Sequence, residues 1–335
     1  MAAVALFSDC LYNKRNEKKE LAMDTKQIEY ILKIAEESNI THAARKLNLT
    51  QPALNQQLLR LERELGLQLF IREKNNCRPT EAGRIYLENA EKMLQIKQET
   101  YRILGDMAAV QKGALSVGFT PGRGSTMFSA VYPEFHRQYP NVVVMPQELS
   151  VRSQQALIAE GRMDIGFQTL CEGHKTQDAY VPILEEEVFL VIPSKHPLCQ
   201  EPVCQCVPQT RQETAPSALP PELSIEALRH EPFVLMYKES TIRQMVDQIF
   251  KEAGFHPNVL FETASNATIL SMIQNSLCCG LVPAYYLRNP LPGIACFSLP
   301  SHPTWEVTAS YRRGTYLTKA GRCFIHLAAE FWQQG

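Results

Sequence analysis

Three patterns in the 335-residue chain predict an α/β protein with an N-terminal winged helix-turn-helix, a long linker helix and a two-lobed α/β domain. Residues 40–59 hold two short helical periods around a turn. Residues 81–109 carry one long helical period with a broad apolar side. From Gly113 onward, apolar strand-like runs alternate with helical segments, and this alternation occurs twice in series, which implies two lobes with a cleft between them.

Taken in order, residues 1–22 are expected to be a disordered extension, or to lie upstream of a true start at Met23. The apolar stretch Met1–Phe7 is short for a signal peptide, and the basic cluster Lys14, Arg15, Lys18 and Lys19 follows it instead of preceding it. A helix is expected over Thr25–Ser38, with Ile28, Ile31, Leu32 and Ala35 inward. Thr41–Leu47 then forms the first helix of the pair, where Ala43 and Ala44 permit close packing. Asn48 suits the turn because it tolerates the left-handed conformation. Thr50 supplies an N-cap oxygen, and Pro52 sits in the first turn, where its missing N–H costs little. Leu54, Leu58, Leu61 and Leu65 share one face of the second helix, and Gly66 ends it. Leu67–Arg72 and Cys77–Pro79 can pair around Glu73–Asn76 as a wing.

Thr80 is the expected cap of a helix from Glu81 to about Ala109. Its apolar side (Ile85, Tyr86, Met93, Leu94, Ile96, Ile103, Leu104, Met107) exceeds what a small winged domain can bury, so pairing with a second chain is expected, although Lys97 and Thr100 interrupt a strict heptad. Strands follow at Ala114–Phe119, Val142–Gln147 and Asp164–Phe167, with helices near Thr126–Gln138 and Val151–Glu160. The second set runs through Glu186–Ile192, Phe233–Tyr237, Thr241–Ala253, Val259–Glu262, Ala267–Ser276 and Gly280–Val282, with a late strand at Trp305–Tyr311 and a terminal helix at Lys319–Trp332. Cys199–Leu223 is rich in Pro and Cys and reads as a flexible surface insertion. The resulting divisions are 1–22, 23–80, 81–110 and 111–335.

Net charge is −1, so no global basic field points to nucleic acid. The charge is local: Asn39–Thr80 holds seven basic and three acidic residues, a balance of +4. The expected DNA contacts are Thr41, His42, Thr50, Gln51, Pro52, Asn55, Gln56, Arg60, Arg72 and Arg78. Gln51, Asn55 and Gln56 are amides able to reach base edges, while Arg72 and Arg78 flank the wing and suit phosphates. Ligands of open α/β sheets bind at the carboxyl ends of strands, and helix N-termini favour anions. These rules select Thr120, Gly122, Arg123, Ser125 and Thr126 in the first lobe, Ser240 and Thr241 in the second, and Ser150 and Thr169 beside them. The ligand expected there is a small anionic, carboxylate-bearing metabolite. Ser125 and Ser240 have a plainer reading as N-caps.

No apolar run of 18 residues occurs, and no transmembrane helix or membrane partner is expected. The eight histidines are scattered, without HExxH or GxSxG, and Gly122-Arg-Gly124 lacks the rest of a GxGxxG; no enzyme activity, cofactor or metal is expected. Ten cysteines without a secretion signal fit reduced thiols in a cytoplasm. Cys199, Cys204 and Cys206 leave a redox- or metal-sensing alternative open, in a spacing that is not a usual zinc pattern. Cys278-Cys279 lies beside Leu277 and Leu281 and reads as core. A solute-binding protein would account for the second half of the chain but not for Ile40–Leu59.

On these residues the chain resembles the LysR-type transcriptional regulators. The specific pieces are Ala43-Ala44 with Leu47, Thr50-Gln51-Pro52-Ala53-Leu54, Leu61-Glu62-Arg63-Glu64-Leu65-Gly66, Leu69-Phe70, Arg72, Arg78 and Thr80-Glu81-Ala82-Gly83. Gly161–Phe167, His196-Pro197-Leu198, Glu231-Pro232-Phe233 and Gly280-Leu281-Val282-Pro283 match in order downstream. The resemblance implies a dimerising linker helix and a two-lobed effector domain like type 2 periplasmic binding proteins. It further implies a homodimer or homotetramer that acts on double-stranded DNA when a small molecule binds, with RNA polymerase as a further partner it allows. Asn55 and Gln56 stand where the family often has Ser and a basic residue. Asn75 and Asn76 occupy the wing tip, where another basic residue is usual. Fewer charges and more amides suggest a modest phosphate grip.

Overall fold

A computed structural model describes residues 24–73, 76–108, 112–199 and 220–334. Residues 1–22 and most of the expected insertion at 199–223 therefore lie outside the described residues. The chain divides into two units between Tyr101 and Arg102.

In the N-terminal unit, Asp24 caps helix α1 (Thr25–Glu37) by accepting from Lys26 N, and Ser38 ends it with a left-handed φ of 48°. Its buried stripe is Ile28, Ile31 and Ile34; Leu32 and Ala35, expected inward, are half-buried at the edges of that stripe. Helix α2 (Ile40–Lys46) begins one residue earlier than the pattern suggested, because Asn39 caps it: Asn39 Oδ1 accepts from Thr41 N at 2.9 Å and His42 N at 3.1 Å. Asn48 takes the left-handed turn at φ 55°. Helix α3 (Gln51–Leu65) starts at Thr50, whose Oγ1 accepts from Ala53 N, and stops at Gly66 with φ 69°. Leu54, Leu58 and Leu61 are buried against α1 and α2, whereas Leu65 is half-buried.

The wing is β1 (Phe70–Glu73) paired antiparallel with β2 (Asn76–Pro79), from Phe70↔Pro79 to Glu73↔Asn76. Thr80 then caps helix α4 (Glu81–Met107), accepting from Gly83 N at 3.0 Å. A side chain at residue 83 has no room: a Cβ there would lie 2.0 Å from Leu69 O, so glycine sets how closely α4 meets the wing.

The C-terminal unit opens with β3 (Gly113–Phe119), α5 (Arg123–Gln138), β4 (Val142–Glu148), α6 (Val151–Ala159) and β5 (Ile165–Leu170). Strand β3 pairs in parallel with both β4 and β5. Strand β6 (Ala179–Pro193) is 15 residues long, not the short run at Glu186–Ile192 that the apolar pattern gave. Pro182 and the run Glu185–Glu187 hide its first half from that pattern.

Beyond β6 come β7 (Pro232–Met236), α7 (Thr241–Glu252), β8 (Asn258–Thr263), α8 (Asn266–Gln274), β9 (Gly280–Pro283) and β10 (Ile294–Phe297), then β11 (Thr304–Tyr311) and α9 (Lys319–Gln334). The first half of β6 pairs antiparallel with β11, and its second half pairs antiparallel with β9 and β10. One strand thus belongs to both lobes. The β6–β11 register slips between Val307 and Thr308, opposite Pro182, where no N–H is available for the ladder. β11 also pairs antiparallel with β5, so the sheet is mixed and not wholly parallel. The first-lobe core gathers Val117, Met127, Phe135, Phe167, Phe324 and Trp332; the second-lobe cores gather Val188, Leu190, Phe233, Phe250, Ile269 and Val282. No helix among the described residues is long and apolar enough to cross a membrane.

Candidate functional sites

The outer face of the helix-turn-helix is polar. Thr41, His42, Thr50, Gln51, Pro52, Gln56, Arg60 and Arg78 are all exposed. Gln56, Gln57, Arg60, Arg63 and Glu64 line one shallow depression on α3. Arg60 also pairs with Glu64 at 2.9 Å, one turn on.

Two residues selected from the sequence are already engaged. Arg72 Nη2 donates to Glu62 Oε2 at 2.6 Å, and its Nη1 donates to Asn55 Oδ1 at 3.0 Å. Glu62 enters the sequence reading only as part of a matching motif and is not among the expected DNA contacts. Its side chain is buried, and its Oε1 accepts from Leu69 N at 2.8 Å and Phe70 N at 3.2 Å. A carboxylate on α3 thereby closes the first N–H groups of the wing strand and holds Arg72 against Asn55. Arg72 and Asn55 read as parts that fix the wing to the recognition helix, while Arg78 and Arg60 remain directed outward.

In the C-terminal unit the selected residues lie at or just beyond the ends of β3, β4, β5 and β7, and the structure brings Thr169 and Thr241 into contact. Thr241 Oγ1, at the start of α7, donates to Thr169 O on β5 at 2.8 Å. His174, in the short turn after β5, also meets Gln244 of α7. The lobes therefore meet at the carboxyl end of β5 and the N-terminus of α7. Ser240 occupies the N-cap of α7 but makes no side-chain capping bond. Ser150 is a cap in full, accepting from Ser153 N at 3.2 Å. Ser125 is not a cap: α5 starts two residues earlier, behind Gly122, and Ser125 Oγ donates to Glu148 Oε2. Thr126 Oγ1 returns to Gly122 O within the same turn. Gly122 itself is left-handed at φ 77°, and a Cβ on it would come within 3.4 Å of the Tyr286 hydroxyl. Thr120 lies half-buried at the mouth of this turn.

Arg123 is not the loop cation that its position suggests. It is 4% exposed and ion-paired with the buried Glu186 of β6. Glu186 Oε1 also accepts from Trp305 Nε1 at 2.8 Å, and its Oε2 accepts from Tyr285 N at 3.2 Å. Arg123 Cζ lies 4.6 Å from the Tyr285 ring centroid. None of Glu186, Tyr285, Tyr286 or Trp305 was selected from the sequence; the available signal was the acidic run Glu185–Glu187 at the head of an apolar strand.

Burial raises the thiols of Cys77, Cys171, Cys199 and Cys323 above their ordinary range. Burial raises Cys278 to about 11 and Cys279 to about 12, so both stay protonated at neutral pH. Cys199 is half-buried, also raised by burial, and its thiol donates to Pro193 O. Cys204 and Cys206 lie outside the described residues. Among the described residues no group of three or more His, Cys, Asp or Glu side chains could hold a metal ion.

Residues 25–84 match the family described as bacterial regulatory helix-turn-helix protein, lysR family, and residues 108–333 match the LysR substrate binding domain. Among curated proteins, the uncharacterized HTH-type transcriptional regulator YcgK of Bacillus subtilis (strain 168) is 28% identical over 326 residues, 93% of this chain and 96% of that protein. A full-length OxyR variant from Pseudomonas aeruginosa shares the fold at a TM-score of 0.61 and 23% identity, covering 93% of this chain and 95% of that one. Full-length CbnR, solved with its target DNA, does so at a TM-score of 0.54 and 19% identity, covering 91% and 99%. The chain belongs to the LysR family: it is a DNA-binding transcriptional regulator with an effector-binding C-terminal domain.

Proposed function

We propose that the cleft of the C-terminal unit takes a small anionic metabolite and that its occupancy sets how the protein grips promoter DNA. The Thr241–Thr169 hydrogen bond carries this reading, because a ligand entering between β5 and α7 must replace or extend it. Ser240 and the α7 N-terminus beside it offer donors to an anion. Ile85, Ile96, Tyr101, Leu104 and Met107 are each more than half exposed along α4, which supports cover by a second copy of the chain. Footprinting on the DNA upstream of its own gene, with and without a panel of small carboxylic acids, tests the whole reading. The expected footprint holds paired half-sites about one helical turn apart or a multiple of it, and its length or spacing changes with an acid. A single half-site footprint indifferent to every acid would refute it.

The recognition surface is the exposed face of α3, a role supported by the similarity to CbnR, which was solved on its target DNA. With Asn55 held by Arg72, Gln56 and Gln51 are the amides left for base edges. Gln56→Ala is expected to lose about 1–3 kcal/mol of discrimination while leaving random-sequence binding nearly unchanged. Anisotropy titrations on a specific and a scrambled duplex decide this; equal losses on both would assign Gln56 to the backbone instead.

A further inference from the structure

The buried charge around Tyr285 does not balance. Arg123 and Arg288 approach the same Tyr285 ring, with Cζ atoms 4.6 Å and 4.8 Å from its centroid. Glu186 is the carboxylate in this cluster, and its two oxygens already serve Arg123, Trp305 Nε1 and Tyr285 N. Arg288 forms no salt bridge among the described residues. Both guanidiniums keep Nε and Nη2 buried without a hydrogen-bond partner, and so does Asn266 Oδ1 at the start of α8. Two cations against one committed carboxylate leave one positive charge and four buried donor nitrogens unanswered, which is costly away from water. Burial and the neighbouring Arg123 push the Arg288 guanidinium below its ordinary range, while Glu186 only partly opposes them.

We propose that Arg123 and Arg288 together seat the carboxylate of a small monocarboxylic acid, which supplies the missing negative charge. The proposal rests on the cleft reading above and gives that cleft its anion-binding residues. Each guanidinium is a planar fork that matches a carboxylate through paired N–H donors. A single negative charge completes the balance, whereas a phosphate, at about −1.5 to −2 near neutral pH, overfills it. Arg123 opens α5 in the first lobe, directly after Gly122, and Arg288 follows β9 in the second lobe, so an acid held by both ties the lobes together. Tyr286, whose hydroxyl faces Gly122, lies beside that junction.

Trp305 reports on the cluster directly, since its indole N–H bonds Glu186. The test is a fluorescence titration of the full chain with sodium acetate, sodium benzoate and inorganic phosphate at fixed ionic strength, together with thermal melts. Wild type is expected to give a saturable change with a monocarboxylate at millimolar concentration and a weaker one with phosphate. Arg288→Gln is expected to weaken the carboxylate about tenfold or more, and Arg288→Lys less, because lysine keeps the charge but not the fork. Without acid, Arg288→Gln should melt at or above wild type, since it removes an unanswered charge. An Arg288→Gln melt well below wild type would overturn the proposal by showing that the guanidinium already has a partner. A response intact in Arg288→Gln but lost in a Thr120→Ala, Ser240→Ala variant would overturn the arginine seat while keeping the cleft. No saturable response of wild type to either monocarboxylate would also overturn the seat, and the footprint judges the cleft separately.

Discussion

Glu62→Ala is expected to lower the stability of the N-terminal unit by about 3 kcal/mol and to release the wing before the helices. The loss is counted from the backbone. Leu69 N and Phe70 N both donate to Glu62 Oε1, and both residues are buried, so truncation leaves two N–H groups without an acceptor at about 1–3 kcal/mol each, reduced where water reaches the hairpin. The Arg72 ion pair adds little to this sum, because the Arg72 side chain is 34% exposed and solvent screens it. Its loss matters instead for geometry. Arg72 spans Glu62 and Asn55, so Glu62→Ala frees Asn55 and lets the wing arginines wander. DNA affinity should then fall on specific and scrambled duplexes alike, in contrast to Gln56→Ala. Glu62→Gln keeps one acceptor oxygen and should recover part of the stability. Urea unfolding, read beside anisotropy on the two duplexes, checks both effects. An alanine variant that unfolds at the wild-type midpoint would mean that water satisfies the wing N–H groups as well as the carboxylate does.

What could be read from the sequence was mostly local chemistry. Thr50, Asn48, Gly66 and Thr80 each act on backbone within a few residues, so residue type and spacing suffice to place them. Hydrophobic periodicity located the helices and the order of strands for the same reason. It failed where a polar side chain is buried by a distant partner. Glu62 reads as one more charge on an amphipathic helix until Leu69, Phe70 and Arg72 fold back on it. Arg123 reads as a loop cation because its partner, Glu186, lies 63 residues away on strand β6. The length of β6 was hidden because its first half carries Pro182 and three glutamates, of which Glu186 and Glu187 are buried on opposite sides of the strand. The carboxyl-end rule for α/β sheets did bring Thr169, Thr241 and Ser240 to one place, since it depends on topology and not on which pairs form.

Glu186→Gln is expected to be the costliest single exchange in the C-terminal unit, about 3–5 kcal/mol, although it changes the side chain by one heteroatom. Three donors converge on this carboxylate: Arg123, Trp305 Nε1 and Tyr285 N. A glutamine offers one acceptor oxygen and turns an N–H group toward at least one of them. It also removes the negative charge while Arg123 stays buried and Arg288 half-buried, so two cations are left to repel each other across Tyr285. The partners are 1% and 5% exposed, so solvent offers no screening. If the cost is the unpaired charge and not lost packing, removing a cation must return it. Arg123→Met in the Glu186→Gln background should recover most of the lost stability, because replacing both members of a buried pair is often close to neutral. Arg288→Met in the same background should recover a smaller part, and Trp305 emission should shift in Glu186→Gln alone. Denaturant unfolding of the single and double variants measures the coupling. Losses that simply add would show Glu186 acting through its shape, and the charge account of this cluster would fall with that result.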